Sequence, residues 1–152
     1  MRRASTTVAL VGCGKAKRPG RHPARDLYVG PLFRAALEHV EATADRVFIL
    51  SGRHGLLPLD QVVEAYDTPL PTGQERLDWG VRVVEALVEA VPGRITLTVY
   101  AGAAYANEVW CALAGYSDRV RVLQPLRGMS QGKRLGWFRA RRERRARCST
   151  AA

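Results

Sequence analysis

Four runs of strand-forming residues alternate with helix-length stretches in this chain, and each run ends in a loop rich in Gly, Ser, Lys, Arg or His. TTVALVG leads into Cys13-Gly14-Lys15-Ala16-Lys17, and RVFIL into Ser51-Gly52-Arg53-His54-Gly55. ITLTVY leads into Ala101-Gly102-Ala103-Ala104-Tyr105, and RVRVL into Gln124-Pro125-Leu126-Arg127-Gly128-Met129-Ser130. Strands separated by helices of this length imply right-handed crossovers and a parallel sheet. Parallel strands would bring all four loops to the carboxyl edge of one sheet, where open α/β folds bind their ligands. The expected fold is therefore α/β, a three-layer α/β/α sandwich with a mostly parallel sheet of about four strands.

The details follow from periodicity. Strands are expected at residues 7–11, 46–50, 95–100 and 119–123. The Val-Phe-Ile-Leu run of the second is continuous rather than alternating, as in a strand covered on both faces. A helix over 31–42 starts on Pro31, which suits a first turn, and gathers Leu32, Ala35, Ala36, His39 and Val40 on one face. A longer helix over 72–91 buries Trp79, Val83, Leu87 and Ala90 and stops at Pro92-Gly93. A third, over 103–114, turns Tyr105, Val109, Ala112 and Leu113 inward and ends at Gly115. Residues 12–29 read as a long basic loop broken by Pro19 and Pro23, residues 59–63 as a short turn or helix, and a last helix begins near Ser130.

A chain of 152 residues that is 47% apolar is enough for one core. Residues 1–132 are expected to form the α/β body, and 133–152 a basic C-terminal helix or tail of the same single domain. No apolar stretch reaches membrane-spanning length. The basic Met1-Arg2-Arg3 precedes a short apolar run that enters a Gly/Lys loop, and so reads as the lead-in to a strand rather than a signal peptide. Three cysteines, Cys13, Cys111 and Cys148, have neither disulfide nor zinc spacing, so a cytoplasmic protein without a metal site is expected. Nor is any cofactor expected.

The net charge of +10 is concentrated at one end. Between Lys133 and Arg147 stand Lys133, Arg134, Arg139, Arg141, Arg142, Arg144, Arg145 and Arg147 against one acid, Glu143, a net +7. Such a cluster suits a solubilising terminal helix. It equally suits contact with a phosphate backbone, which Arg neutralises without reading sequence. Lys133, Arg134, Arg139, Arg141, Arg142 and Arg145 are the candidate nucleic-acid contacts.

The first loop places Gly12 and Gly14 around Cys13, with Lys15 and Lys17 beyond. Glycines leave backbone N–H groups open to an anion and the lysines add charge. The spacing matches neither the Walker pattern nor the dinucleotide fingerprint. It reads as an anion or nucleotide site, or as a tight turn with solvated lysines. Cys13 is either a small packed side chain or a nucleophile activated by lysine. In the second loop Ser51 offers a donor, Gly52 a close backbone, Arg53 a planar fork and His54 an acid or base. The plainer alternative has Ser51 capping a turn and His54 exposed. Gly102 with Tyr105, and Arg127-Gly128 before a helix start, add further ligand-binding candidates.

These stretches carry a resemblance. Val11 to Lys17, Ala24 to Gly30, Ile49 to Leu57, Asp60, Tyr66-Asp67 and Pro125 to Gly132 with Trp137 look like a family of small uncharacterised bacterial and phage α/β domains. The Ser-Gly-x-x-Gly-Leu-Leu…Asp…Tyr stretch is remotely similar to the YaaA peroxide-stress proteins. The Cys-x-Lys-x-Lys stretch is remotely similar to the core domain of archaeosine synthase. The first likeness covers most of the chain and the wider two only the loops. The chain departs from the archaeosine-type pattern at Gly14, where that pattern has a hydroxyl residue, and lacks the Pro-Tyr after the lysine.

The resemblance implies a nucleotide, nucleoside or base ligand, bound by an enzyme acting on it or on a base within nucleic acid. The alternative is a non-catalytic nucleic-acid-binding stress protein that uses the basic tail. From the residues alone Asp26 is a polar loop residue and Tyr28 half-buried packing; the resemblance draws in Tyr28 as a surface on which a base stacks, and Asp26 as an edge acceptor or base beside His54. Lys15, Cys13, Asp26 and His54 are thus the catalytic candidates.

Overall fold

The computed structural model describes residues 4–150; Met1-Arg2-Arg3 and the last two residues of the basic segment lie outside them. The fold is mixed α/β, with a five-stranded, mostly parallel sheet and five helices. The main sheet consists of β1 (Thr6–Gly12), β3 (Arg46–Ser51), β4 (Gly55–Pro58), β6 (Ile95–Tyr100) and β7 (Val120–Leu123), in the order β4-β3-β1-β6-β7. β1, β3, β6 and β7 run parallel, so their four following loops do share one edge.

β4 was not expected. The chain reverses at residues 52–54 and returns antiparallel along β3, with Ser51 paired to Gly55 and Phe48 to Pro58. Gly55 takes φ +66°, which a side chain would resist. Of residues 59–63, expected as a short turn or helix, Leu59 and Asp60 form a turn, and the rest leads into β5 (Val62–Glu64). That strand pairs antiparallel with β2 (Arg21–Pro23). The expected long loop 12–29 thus holds a strand and a helical turn, α1 (Ala24–Leu27), and Lys17 bridges Tyr28.

The longer helices match the periodicity within a residue or two. They are α2 (Pro31–Thr43), α3 (Gly73–Ala90), α4 (Ala103–Ala112) with a 3₁₀ extension over Leu113–Tyr116, and α5 (Gln131–Thr150). One stripe residue, Ala90, is exposed rather than inward.

β1 is buried from Val8 to Val11, and these residues alternately feed two separate cores. Val8 and Leu10 pack with Trp79, Val83 and Leu87 of α3 and Val109 of α4. Ala9 and Val11 pack with Leu27 of α1, Phe33, Ala36 and Val40 of α2, and Phe138 of α5. Burial on both faces explains the unbroken apolar runs of β1 and β3. β6 instead alternates, with Ile95, Leu97 and Val99 buried and Thr96 and Thr98 only half covered.

The last helix is held by an aromatic knot. Trp137 and Phe138 of α5 meet Tyr100 of β6 with ring centroids 5.9 and 5.6 Å apart, and meet His39 of α2 at 5.1 and 5.6 Å. Arg145 donates from Nη1 to His39 Nδ1 at 2.7 Å, and the Arg141 guanidinium lies 3.3 Å from the Trp137 ring centroid. Burial first, then the nearby Arg145 and Arg141 charges, hold His39 down to a pKa of about 4. Its ring is therefore neutral at pH 7 and accepts a hydrogen bond from Arg145.

This geometry sets a pH dependence. The unfolded chain's His39 takes up a proton near the ordinary value of 6.5, whereas the folded one resists until about 4. The docking of α5 is at full strength above pH 6.5 and weakens as pH falls toward 4. A His39→Gln variant keeps an acceptor for Arg145 but does not titrate. On moving from pH 7 to pH 4.5, the melting temperature of the wild type is expected to fall further than that of His39→Gln. Parallel falls in the two proteins would show that His39 is not the titrating element.

Candidate functional site

The crossovers that leave β1 and β6 diverge. β1 leads through α2 to β3 on one side of the sheet order, while β6 leads through α4 to β7 on the other. α2 and α4 belong to the two different cores. Diverging connections open a crevice between the carboxyl ends of two adjacent strands, the position where open α/β sheets take ligands.

A cavity of about 410 Å³ lies there. Gly12 to Ala16 form its wall after β1, and Tyr100 to Gly102 its wall after β6. Phe33, Leu126 and Phe138 supply apolar lining. Gly12 is needed for the close approach of the two walls, since a Cβ there would stand 3.1 Å from Ala101 Cα. The first residues of three helices reach the cavity: Gly30 and Pro31 at α2, Gly102 at α4, and Gln131 and Arg134 at α5. Neither α2 nor α4 has a side-chain cap, so their first-turn N–H groups lack side-chain acceptors.

Lys15 and Arg134 add two cations, and among the described residues no carboxylate lines the cavity. Arg134 is fixed by donating from Nε to the Met129 carbonyl and from Nη1 to the Ala101 carbonyl, both at 3.1 Å. A neighbouring cavity of about 260 Å³, after β6 and β7, shares Ala101, Leu126 and Arg134 and is lined by Arg127 and Gly128. The electrostatics of this edge therefore favour an anion, and its apolar lining suits a flat ring beside it.

Next to the cavity lies a chain of buried hydroxyls. Parallel register sets Gly12 opposite Leu50, and the Cys13 N–H donates to the Leu50 carbonyl at 3.1 Å, which carries the β1 end past Ser51. Ser51 is fully buried. Its Oγ accepts from the His54 N–H at 3.0 Å and shares a proton with the Tyr66 hydroxyl at 2.6 Å. Tyr66 in turn shares one with the Tyr28 hydroxyl at 2.5 Å. Each hydroxyl has one proton to give, so the Ser51–Tyr66–Tyr28 chain must point one way or the other as a unit.

Trp79 Nε1 donates to the Ser51 carbonyl at 2.9 Å, and Gly52 lies so close to Pro69 that a Cβ would stand 2.9 Å from its carbonyl. The segment is locked from both sides. Cys13 is half-buried, lines the cavity and meets the Tyr105 hydroxyl at 3.9 Å. Tyr105 stacks edge-on against Trp79 at 5.5 Å. The Lys17 ammonium stands 4.6 Å from the Tyr66 ring centroid. Burial pushes the Tyr28 phenol up to about 12 and raises Tyr66 and Tyr105 as well. All three stay neutral near pH 7.

The structure brings together Gly12, Cys13, Gly14, Lys15 and Gly102 at the cavity wall, joined by Arg134, which the sequence reading had assigned to nucleic acid. It groups Ser51, Tyr28 and Tyr105 behind that wall. Several roles need correction. The Tyr28 ring is fully buried against Phe33, at 5.1 Å, and Tyr66, so it has no free face for a base. The Ser51 hydroxyl is spent on Tyr66 and His54 rather than turned to a ligand, and Gly52 is buried.

His54 lies edge-on to Tyr66 at 5.2 Å, its pKa lowered by partial burial and by Arg53, and it does not line the cavity. Arg53 is exposed, about 6.0 Å from the Tyr66 ring centroid. Asp26 sits half-exposed on α1, with no side-chain hydrogen bond or ion pair to any of these groups among the described residues. Tyr66 is the residue whose role sequence reasoning missed, although it stands at the end of the Ser-Gly-x-x-Gly-Leu-Leu…Asp…Tyr stretch. No group of three His, Cys, Asp or Glu side chains comes together among the described residues.

Comparison with protein families matches residues 8–140 to a family described as a family of unknown function, DUF6884, and the chain belongs to that family. No curated protein and no solved structure matches.

The hydroxyl chain gives Ser51 a structural role. Ser51→Ala strands the half-buried His54 N–H and a buried bond of Tyr66, at an expected cost of about 1–3 kcal/mol. Tyr66→Phe is expected to cost a similar amount, and the double variant less than the two losses combined, because the three hydroxyls act as one network. Urea unfolding of the four proteins measures this. Losses that add to within about 0.3 kcal/mol would break the network argument.

Proposed function

We propose that this protein binds a nucleobase-containing ligand in the cavity after β1 and β6, and that it is an enzyme acting on a nucleotide, nucleoside or modified base. The observation that carries the reading is the meeting of uncapped helix N-termini, Lys15 and Arg134 with an apolar wall in one cavity of about 410 Å³. A phosphate or another anionic group suits the helix ends and the two cations. A planar ring suits the gap between the β1 and β6 walls, where Phe33, Tyr100 and Phe138 stand.

The likeness of the first two loops to the YaaA proteins and to the archaeosine synthase core supports the same ligand class. The reading takes the fold as a three-layer α/β/α sandwich, in keeping with the two cores fed by alternate residues of β1. It takes the compartment as the cytoplasm, in keeping with three free cysteines. No helix among the described residues is long and apolar enough to cross a membrane.

In this scheme Gly12, Gly14 and Lys15 hold the anion through backbone N–H groups and charge. Cys13 is the nucleophile candidate, because it is the one thiol at the cavity wall. The Ser51–Tyr66–Tyr28 chain, whose middle member lies over Lys17 and beside His54, is the route by which a proton is passed or held. Asp26 and His54 then act from outside the cavity wall. A second reading, a non-catalytic nucleic-acid binder, is favoured by one observation: α5 presents Arg139 and Arg142 exposed.

A thermal-shift panel of free bases, nucleosides and nucleotides tests the first reading. A ligand present at one hundred times its dissociation constant should stabilise the wild type by about 2.7 kcal/mol. Lys15→Ala is expected to lose most of that shift at the same concentration while melting at the wild-type temperature without ligand, since Lys15 is exposed. With a binder in hand, mass analysis of the incubated ligand separates the roles of Cys13. Cys13→Ser that binds but no longer converts the ligand marks the thiol as reactive, and full conversion excludes it. No shift with any member of the panel would refute the cavity reading.

A further inference from the structure

The cavity does not end at its mouth. A second space of about 330 Å³ opens between α2 and α5, and Pro31 and Phe138 line both. The first space holds Lys15 and Arg134. The second is lined by Arg34 from α2 and by Arg139, Arg142 and Arg145 from α5. Arg134, Phe138, Arg142 and Arg145 recur at helical spacing, so the cations follow one side of α5 over about 16 Å. Along that length a duplex strand carries about five phosphates, and a more extended single strand fewer.

The groove is also short of counter-charge. Glu38 is the one carboxylate among its lining residues. The ion pairs found among the described residues all belong to Arg25, with Glu41 and Asp60. Arg34 spends one bond on the Arg25 carbonyl and Arg145 one on His39. Arg139 and Arg142 are exposed and have no carboxylate partner among the described residues. Unpaired guanidinium groups in a row, leading out of a cavity that suits one anion and one ring, describe a track for a chain of phosphates.

We propose that the ligand is presented by a single-stranded nucleic acid, with one nucleotide lodged in the cavity after β1 and β6 and the neighbouring phosphates lying along the α2–α5 groove. The proposal rests on the nucleobase reading of the cavity and adds the polymer. It also separates the arginines of α5. Arg134 serves the cavity, Arg141 and Arg145 hold the helix to the body, and Arg139 and Arg142 are the exposed groove-lining arginines of α5 that face phosphate, while Arg144 and Arg147 lie outside the groove lining. A duplex does not satisfy this arrangement, because its bases are stacked and paired and cannot enter the crevice singly.

The experiment uses the full chain. Fluorescence anisotropy compares 5′-mononucleotides, a mixed-sequence single-stranded DNA dodecamer, its RNA counterpart and the DNA duplex. The proteins are wild type, Lys15→Ala and the double variant Arg139→Gln with Arg142→Gln, whose melting temperature should equal the wild type's. The single strand, as DNA or as RNA, is expected to bind at least about tenfold tighter than a mononucleotide, because it adds phosphate contacts. The double variant should lose that gain, flatten the slope of log K against log salt by about 1.4, and leave mononucleotide binding unchanged. Lys15→Ala should weaken both.

Equal binding of mononucleotide and single strand, untouched by the double variant, overturns the polymer and leaves the cavity reading standing. Duplex bound as tightly as single strand, and unaffected by Lys15→Ala, overturns the proposal in favour of a backbone-only binder. Binding of no probe at all overturns both the polymer and the cavity reading.

Discussion

β1 is the strand on which everything else depends. It is flanked by β3 and β6, buried on both faces, and its odd and even residues supply two different cores. A central strand of this kind has no solvent face on which to tolerate a polar residue, so its end is the first place where polar chemistry is possible. That end is Gly12-Cys13-Gly14-Lys15. Because the connections from β1 and β6 leave in opposite directions, no helix closes over it. The crevice is therefore a consequence of strand order, and the small residues at its walls, Gly12 against Ala101, set how close the walls stand.

The basic C-terminal segment is two things at once. A helix with so many arginines would be a poor partner for a core unless a few positions were apolar. Phe138 is buried, and Trp137 and Tyr100 extend its contact. The neutral His39 lets Arg145 be used as a donor rather than suffer repulsion, which burial of the imidazole makes possible. Docking in turn carries Arg134 to the Ala101 carbonyl and so to the cavity. The charge that looked like a tail is in part a wall of the site.

Much of this was legible in the residues. Strand and helix positions followed from apolar periodicity, and the shared edge of the four loops from their alternation. The reversal into β4 was not legible, because a hairpin with residues 52–54 at its turn leaves little more signal than the positive φ that Gly55 supplies. β2 and β5 are three residues each, too short for any period to register, and β2 ends on a proline.

The site was half legible. Loop residues Gly12 to Lys15 follow from position on the strand. The placement of Ser51, Tyr28 and Tyr66 depends on where the segment after β5 returns, which is long-range packing that no local pattern encodes. Polar residues in loops were read as ligand-facing, whereas here three hydroxyls satisfy one another inside.

That inward arrangement has a consequence for how the site works. Each of the three hydroxyls, and the half-buried His54 N–H, has a hydrogen-bond partner without a ligand, so their presence needs no substrate to explain it. Their position is less easily explained by packing alone. An apolar core of the same shape would dispense with the requirement that every polar group find a partner. Here the network stands beside the Cys13–Tyr105 contact, under the Lys17 ammonium, at the carboxyl end of the central strand. Phenols raised by burial hold their protons at neutral pH. A chain of them can relay a proton only if both ends reach a group that gains or loses one. Beside the chain the His54 ring lies edge-on to Tyr66, and Cys13, which meets the Tyr105 hydroxyl, is the member of the cluster that lines the cavity.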